Sequence, residues 1–428
     1  MRMHAYTVNS SLNMSVAANN AFMEWVRLIG RGKAGCRAFS RGLHWLKLLT
    51  CTSAVALQCA SSLAQPVLQN ISVLEVKRGI QSMAWHPDGQ RLAVGYFLQD
   101  EVEVWDVQTK KPLFSVPSSR RPHVPSGQEV VFSPDGKYLV VVDVKDTQNG
   151  SPPVPRTEDD PQELPARANK DRFILARVWD VEQRREISQL KGPGAWLYGG
   201  LGGICWLSTP SPALAMLRES VVFTYVIPSG RRVAETNALR PFSKLPDRAY
   251  GYWKMACHPS EPLVALEGQR FSPQTAPLMG YSPNSGATAV VVADVKQQRI
   301  VKTLISPTPL NGVVYTADGS KLVSFGAPPI RVWDAVHDYA TLGEIGEPHA
   351  NTNYFAALPG FDGVVGLSGN LHIWNTQNLQ RVSTVAVPPD VFRIAVHQTS
   401  RTVAVAIGRF AHLYRFNPDA LKPSGGGN

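Results

Sequence analysis

One unit recurs along this chain, and it constrains the fold more than any other feature. Residues 82–95 read SMAWHPDGQRLAVG and lead to VEVWD at 102–106. Residues 129–142 read EVVFSPDGKYLVVV and lead to ARVWD at 176–180. Residues 312–325 read GVVYTADGSKLVSF and lead to IRVWD at 330–334. Each unit is an apolar strand, a turn, a second apolar strand, and a third strand ending in Trp-Asp. The Pro-Asp-Gly turns reverse the chain tightly, because proline presets one φ and glycine accepts a positive one. Valine, leucine and aromatics fill the flanking runs, as pleated surfaces favour.

Aligned on the tryptophan, seven copies emerge, at Trp105, Trp179, Tyr225, Ala293, Trp333, Trp374 and Tyr414. Successive spacings are 74, 46, 68, 40, 41 and 40 residues, and insertions at 145–171 and 268–287 account for the two long ones. A period near 40 with a terminal Trp-Asp marks four-stranded blades set around an axis. On these motifs residues 70–417 resemble the WD-repeat propellers, in a divergent, bacterial-type form. That family pairs Trp-Asp with an upstream Gly-His and ties each blade through an Asp-His-Ser-Trp network. The Gly-His is largely missing here, Pro348-His349 being the nearest match, so the network is not carried over. The resemblance implies an all-β fold: a seven-bladed β-propeller of four-stranded antiparallel blades, closed by the N-terminal strand. Copy seven supplies only Val391–Val396, Val403–Ile407 and His412–Phe416. Ile71–Val76 is otherwise unassigned, and pairing it there would remove an exposed edge.

A formal charge of +10 would ordinarily suggest a polyanionic partner. Its distribution argues otherwise. Residues 1–64 carry seven basic side chains and one acid, Glu24, leaving 36 basic and 32 acidic for the rest. Arg41 and Lys47 precede an apolar stretch, 48–60, followed by Ser62-Leu63-Ala64. This is the order of a secretory signal peptide, with cleavage expected after Ala64 and export to the periplasm or outside. A transit peptide or an unstructured cytoplasmic extension are the alternatives. The apolar stretch is too short to span a bilayer, so no stable membrane anchor is expected after cleavage. The remainder, 65–417 with a flexible tail at 418–428, mixes basic and acidic residues without an aromatic-laced basic stripe. Nucleic acid is therefore disfavoured.

In a propeller, loops alternate between two faces. Both insertions fall between the second and third strands of their blades, two and four, on the face that also carries the blade-to-blade connections. Those at 116–128, 191–203 and 237–251 are long. This sector carries Arg120, Arg121, His123, Trp196, Tyr198, Arg248, Tyr250, Trp253, Arg270, Phe271 and Tyr281. Arginine and large aromatics dominate interface energetics, so these residues are the candidate partner-binding set. The proline-rich acidic run in 145–171 reads as a solvated excursion.

Catalytic chemistry is not legible. There is no Gly-x-Ser-x-Gly elbow, phosphate loop or paired Cys-x-x-Cys, and Gly199–Gly203 lacks a following Lys-Ser/Thr. His86, His258 and His397 occupy equivalent turns of blades one, four and seven, too far apart for one metal ion. Asp100, Glu101 and Asp143 read as loop-end residues. Cys205 and Cys257 lie on inner strands of adjacent blades with a one-residue offset, which predicts opposite-facing side chains and two separate buried thiols. The expectation is a monomeric, non-enzymatic scaffold that binds a protein or peptide, with no cofactor and no metal. The rival is a propeller enzyme or small-ligand sensor using the central funnel, such as a lactone or ester hydrolase.

Overall fold

The computed structural model describes residues 66–96, 101–117, 129–146, 173–192, 203–218, 220–238, 252–271, 273–282, 285–327, 329–346, 354–388 and 391–421. They build seven four-stranded antiparallel sheets arranged as a β-propeller. In six blades the strands follow chain order. Blade 1, for example, is Ile80–Trp85, Arg91–Tyr96, Glu101–Asp106 and Lys111–Pro117. The first strand of each blade is the inner one, and first strands of neighbouring blades touch around the axis. Second and third strands are almost wholly buried, and the largest apolar clusters lie between blades. Alternate side chains serve opposite interfaces, so both faces of each sheet are apolar.

The seventh sheet joins the two ends of the chain. Leu68–Glu75 pairs antiparallel with Phe410–Phe416, from Leu68 opposite Phe416 to Glu75 opposite Phe410. Further bonds cross the same junction. Trp85 Nε1 donates to the Ala395 carbonyl at 3.1 Å, and Arg393 Nε to the Gln81 carbonyl at 2.9 Å. Buried Glu103 accepts from Lys77 Nζ at 2.5 Å, from Trp105 Nε1 at 3.0 Å, and from the Tyr96 hydroxyl. Burial, then this hydrogen bond, drives the Tyr96 phenol far above its usual range.

The three histidines bolt blades together. His258 Nδ1 accepts the Glu261 main-chain N–H at 3.1 Å, which places the ring proton on Nε2. That proton is donated to the Gly319 carbonyl of the next blade at 2.9 Å. His86 reaches the Gly136 carbonyl at 2.9 Å and His397 the Pro87 carbonyl at 3.1 Å in the same way.

The cysteine expectation is overturned. Cys205 and Cys257 form a disulfide, with Cα atoms 5.8 Å apart. The alignment itself holds: Trp206 pairs with Leu214, and Cys257 with Val264, at equivalent positions of their ladders. The face argument fails because the strands belong to different sheets. Successive blades are related by rotation, so the face of one meets the opposite face of the next. An odd offset is therefore what brings two side chains together across a blade interface.

Candidate functional site

Strand order fixes what sits on each end of the ring. The first strand starts, and the second ends, on the face that carries the blade-to-blade connections. The 145–171 insertion joins Tyr138–Asp146 to Phe173–Asp180, and the 268–287 insertion joins Leu263–Arg270 to Thr288–Asp294. Both leave from this face. So do the connections after Lys111–Pro117, Arg185–Gly192 and Arg231–Asn237. The seven inner strands start on this face, around the axis.

There one residue per blade occupies the same height. Counting three back from Trp85 and its six equivalents gives Ser82, Glu129, Gly203, Lys254, Gly312, Tyr354 and Arg393. Three of the seven are charged, and together the seven positions form a collar around the axis. Gly312 has no Cβ; one placed there would meet Phe325 at 2.4 Å and Lys254 Cδ at 3.0 Å. The glycine thus lets the Lys254 stem lie across blade 5. The ammonium ends 5.5 Å from the ring centroids of Phe325 and of Tyr354 in blade 6. Phe325 in turn heads a stack with Phe355 and Trp374, centroids 4.7 and 5.0 Å apart.

From the other side Arg393 of blade 7 places its guanidinium carbon 5.1 Å from the same Tyr354 ring. Its Nη2 lies 2.6 Å from Glu129 of blade 2. Two cations therefore sit against one aromatic ring, each drawn to its quadrupole. Glu129, Lys254, Tyr354 and Arg393 are all half-buried, shielded but not sealed. Burial pulls the Lys254 ammonium below the usual lysine range. Its cross-strand neighbour Glu267 opposes this, Arg393 adds to it, and Glu129 opposes it. At blade 3 the position is Gly203, where a Cβ would sit 2.8 Å from Met255, so the inner strands of blades 3 and 4 approach closely beside the disulfide.

No protein-family model matches this chain, and no curated protein matches it in sequence. The reading of the site therefore rests on its own geometry.

Of the residues chosen from sequence, Arg120, Arg121, His123, Trp196, Tyr198, Arg248 and Tyr250 lie outside the described residues. Trp253 is on the inner strand of blade 4, one residue before Lys254, and Arg270 pairs with Thr288; their side chains lie outside the described ones. Phe271 is 4% exposed and packs in the core between blades 3 and 4, with Tyr281 against the same cluster. These two hold the 268–287 segment down; Phe271 presents no side-chain surface to a partner. Thr275 and Ala276 are likewise buried, so this insertion folds onto the blade. Among the described residues no three His, Cys, Asp or Glu side chains gather as a metal site. Sequence reasoning passed over Glu129, Lys254, Tyr354 and Arg393. Their signal was a single column of the repeat, polar where its neighbours are apolar.

Proposed function

We propose that this protein is a non-enzymatic binding scaffold, built like the WD-repeat propellers it resembles, whose long-connection face takes a protein or peptide partner. The observation that carries this reading is the coincidence, on one face, of the long connections with the charged and aromatic collar at the axis. Rigid strands fix the collar, and binding proteins commonly set contact residues on long connections around such a scaffold. We further infer that the protein is exported as a monomer. The basic leader with its short apolar stretch supports export, and so does the inter-blade disulfide, a bond that persists in oxidising compartments.

Capture from a native cell-envelope extract tests the scaffold reading. The combined variant Trp196→Ala, Arg248→Ala, Trp253→Ala should lose partner capture by at least about tenfold, the scale of one or two interface hot spots. Its melting temperature should stay close to wild type. Capture at the wild-type level by this variant would remove the long-connection face as the binding surface.

A further inference from the structure

We propose that the mouth of the axial channel binds a peptide carboxylate between Lys254 and Arg393. This rests on the peptide-binding reading and names the chemistry the partner must bring. Two cations from blades 4 and 7 converge on the Tyr354 ring and are half-buried near the starts of the inner strands. The positive charge of Arg393 disfavours that of Lys254. A carboxylate seated against both would replace that repulsion with two charge-assisted contacts, which are short and strong where water is partly excluded.

The neighbouring acids set the charge of the guest. Glu129 sits on Arg393, and Glu267 lies opposite Lys254 on the adjacent strand. Among the described residues, the two cations of the collar are matched by these two acids. A singly charged carboxylate fits that balance, whereas a dianionic phosphate would meet Glu129 and Glu267 with surplus negative charge. The depressed ammonium of Lys254 points the same way, because burial and Arg393 outweigh the attraction of its own acids. Bringing in a further anion shifts the lysine back toward its protonated form, so binding at alkaline pH takes up a proton.

The test uses the full-length protein and a random heptapeptide library, N-acetylated and C-amidated so that Asp and Glu supply the only carboxylates. The wild-type protein should enrich acidic peptides. A selected peptide should bind about tenfold more tightly than its Asn or Gln counterpart, the size of one charge-assisted contact. Lys254→Met keeps the stem packed over Gly312 and removes the charge; it should lose the acidic preference and unfold cooperatively, melting a few degrees lower because buried Glu267 loses its cation. Calorimetry of the wild type at alkaline pH, in two buffers of different ionisation enthalpy, should show proton uptake, a readout independent of any variant. Capture of peptides without acidic preference would overturn this inference and leave the scaffold reading standing. Capture of none would overturn both. Preference for phosphoserine over aspartate, or stabilisation by sodium glutarate with no capture of acidic peptides, would assign the mouth to another anion and overturn the peptide carboxylate.

Discussion

Gly319 serves two constraints that happen to fall on one residue. Its φ of +78° suits the turn between the first two strands of blade 5, and an added Cβ would sit 2.5 Å from His258 Nε2 of blade 4. The Cε1–Nε2 edge of the imidazole fills the place where a side chain would be, so that Nε2–H can reach the Gly319 carbonyl. Gly136 and Gly89 meet His86 and His397 in the same way. Blade 2 carries Ser133 where these blades carry histidine, and its hydroxyl stays within its own turn on Asp135 and the Tyr138 N–H. Gly319→Ala should therefore cost about 2–4 kcal/mol, from left-handed backbone strain plus the clash with the ring. His258→Ser, the residue blade 2 uses, should cost less, since it loses one hydrogen bond and some packing. The double variant should cost less than the two singles together, because the serine vacates the space the alanine needs. Denaturant unfolding of the four proteins measures this; strict additivity would mean that the histidine does not bear on the glycine.

At the scale of elements, the aspartate of each Trp-Asp pair has a local duty. Asp106 Oδ1 accepts the Gln108 and Thr109 N–H groups at 2.9 and 2.8 Å, turning the third strand into the fourth. Asp334 does the same for Val336 and His337, both at 3.0 Å. Blade 6 has Asn375 in this place, and its Oδ1 accepts from Gln377 and Asn378 at 2.7 and 3.1 Å, so the turn needs an acceptor rather than a charge. Hydrogen bonding lowers both carboxyls, chiefly the Thr109 main-chain N–H for Asp106 and the His337 side chain for Asp334. A depressed carboxyl contributes stability that is present above its unfolded value, near 4, and lost as pH falls through the folded one. Asp106→Asn with Asp334→Asn should thus melt slightly lower than wild type at pH 7, keep the turn bonds as Asn375 does, and flatten the decline below pH 4. An undiminished decline would place the acid sensitivity elsewhere. Just beyond these turns every outer strand carries a bulge at the same step, with Ile71, Leu113, Ile187, Val233, Val301, Leu342 or Val382 as the extra residue. Bulges twist a sheet edge and blunt its pairing with other edges. Blades were legible in the sequence because each is a local hydrophobic pattern closed by a turn with its own chemistry. The collar was not, because Glu129, Lys254, Tyr354 and Arg393 are scattered along the chain and meet only once a ring exists. Loop composition drew attention to Phe271, whose aromatic ring serves the core.

The ring as a whole is held by closure. Its terminal strands pair, and the junction between blades 7 and 1 is crossed by the Trp85 and Arg393 bonds, the His397 latch, and Glu103 with Lys77. Opposite this junction the inner strands of blades 3 and 4 are tied covalently, through Cys205 and Cys257, 52 residues apart. A cross-link of that span removes loop freedom from the unfolded chain worth about 4 kcal/mol in the chain-entropy model. The bond also lies on the same inner strands as the collar: Lys254 is three residues before Cys257, and Gly203 two before Cys205. Reduction should therefore act on both stability and the mouth. In dithiothreitol, or in Cys205→Ser with Cys257→Ser, the protein should melt several degrees lower with cooperative unfolding retained, since every blade interface keeps its apolar cluster. Binding of a selected acidic peptide should weaken in parallel, because Lys254 then rides on a strand freed from its neighbour. Equal melting curves with and without reductant would show that blades 3 and 4 are held by packing alone. Unchanged peptide affinity alongside a lowered melting temperature would show that the collar is fixed by its own side chains rather than by the bridge beneath it.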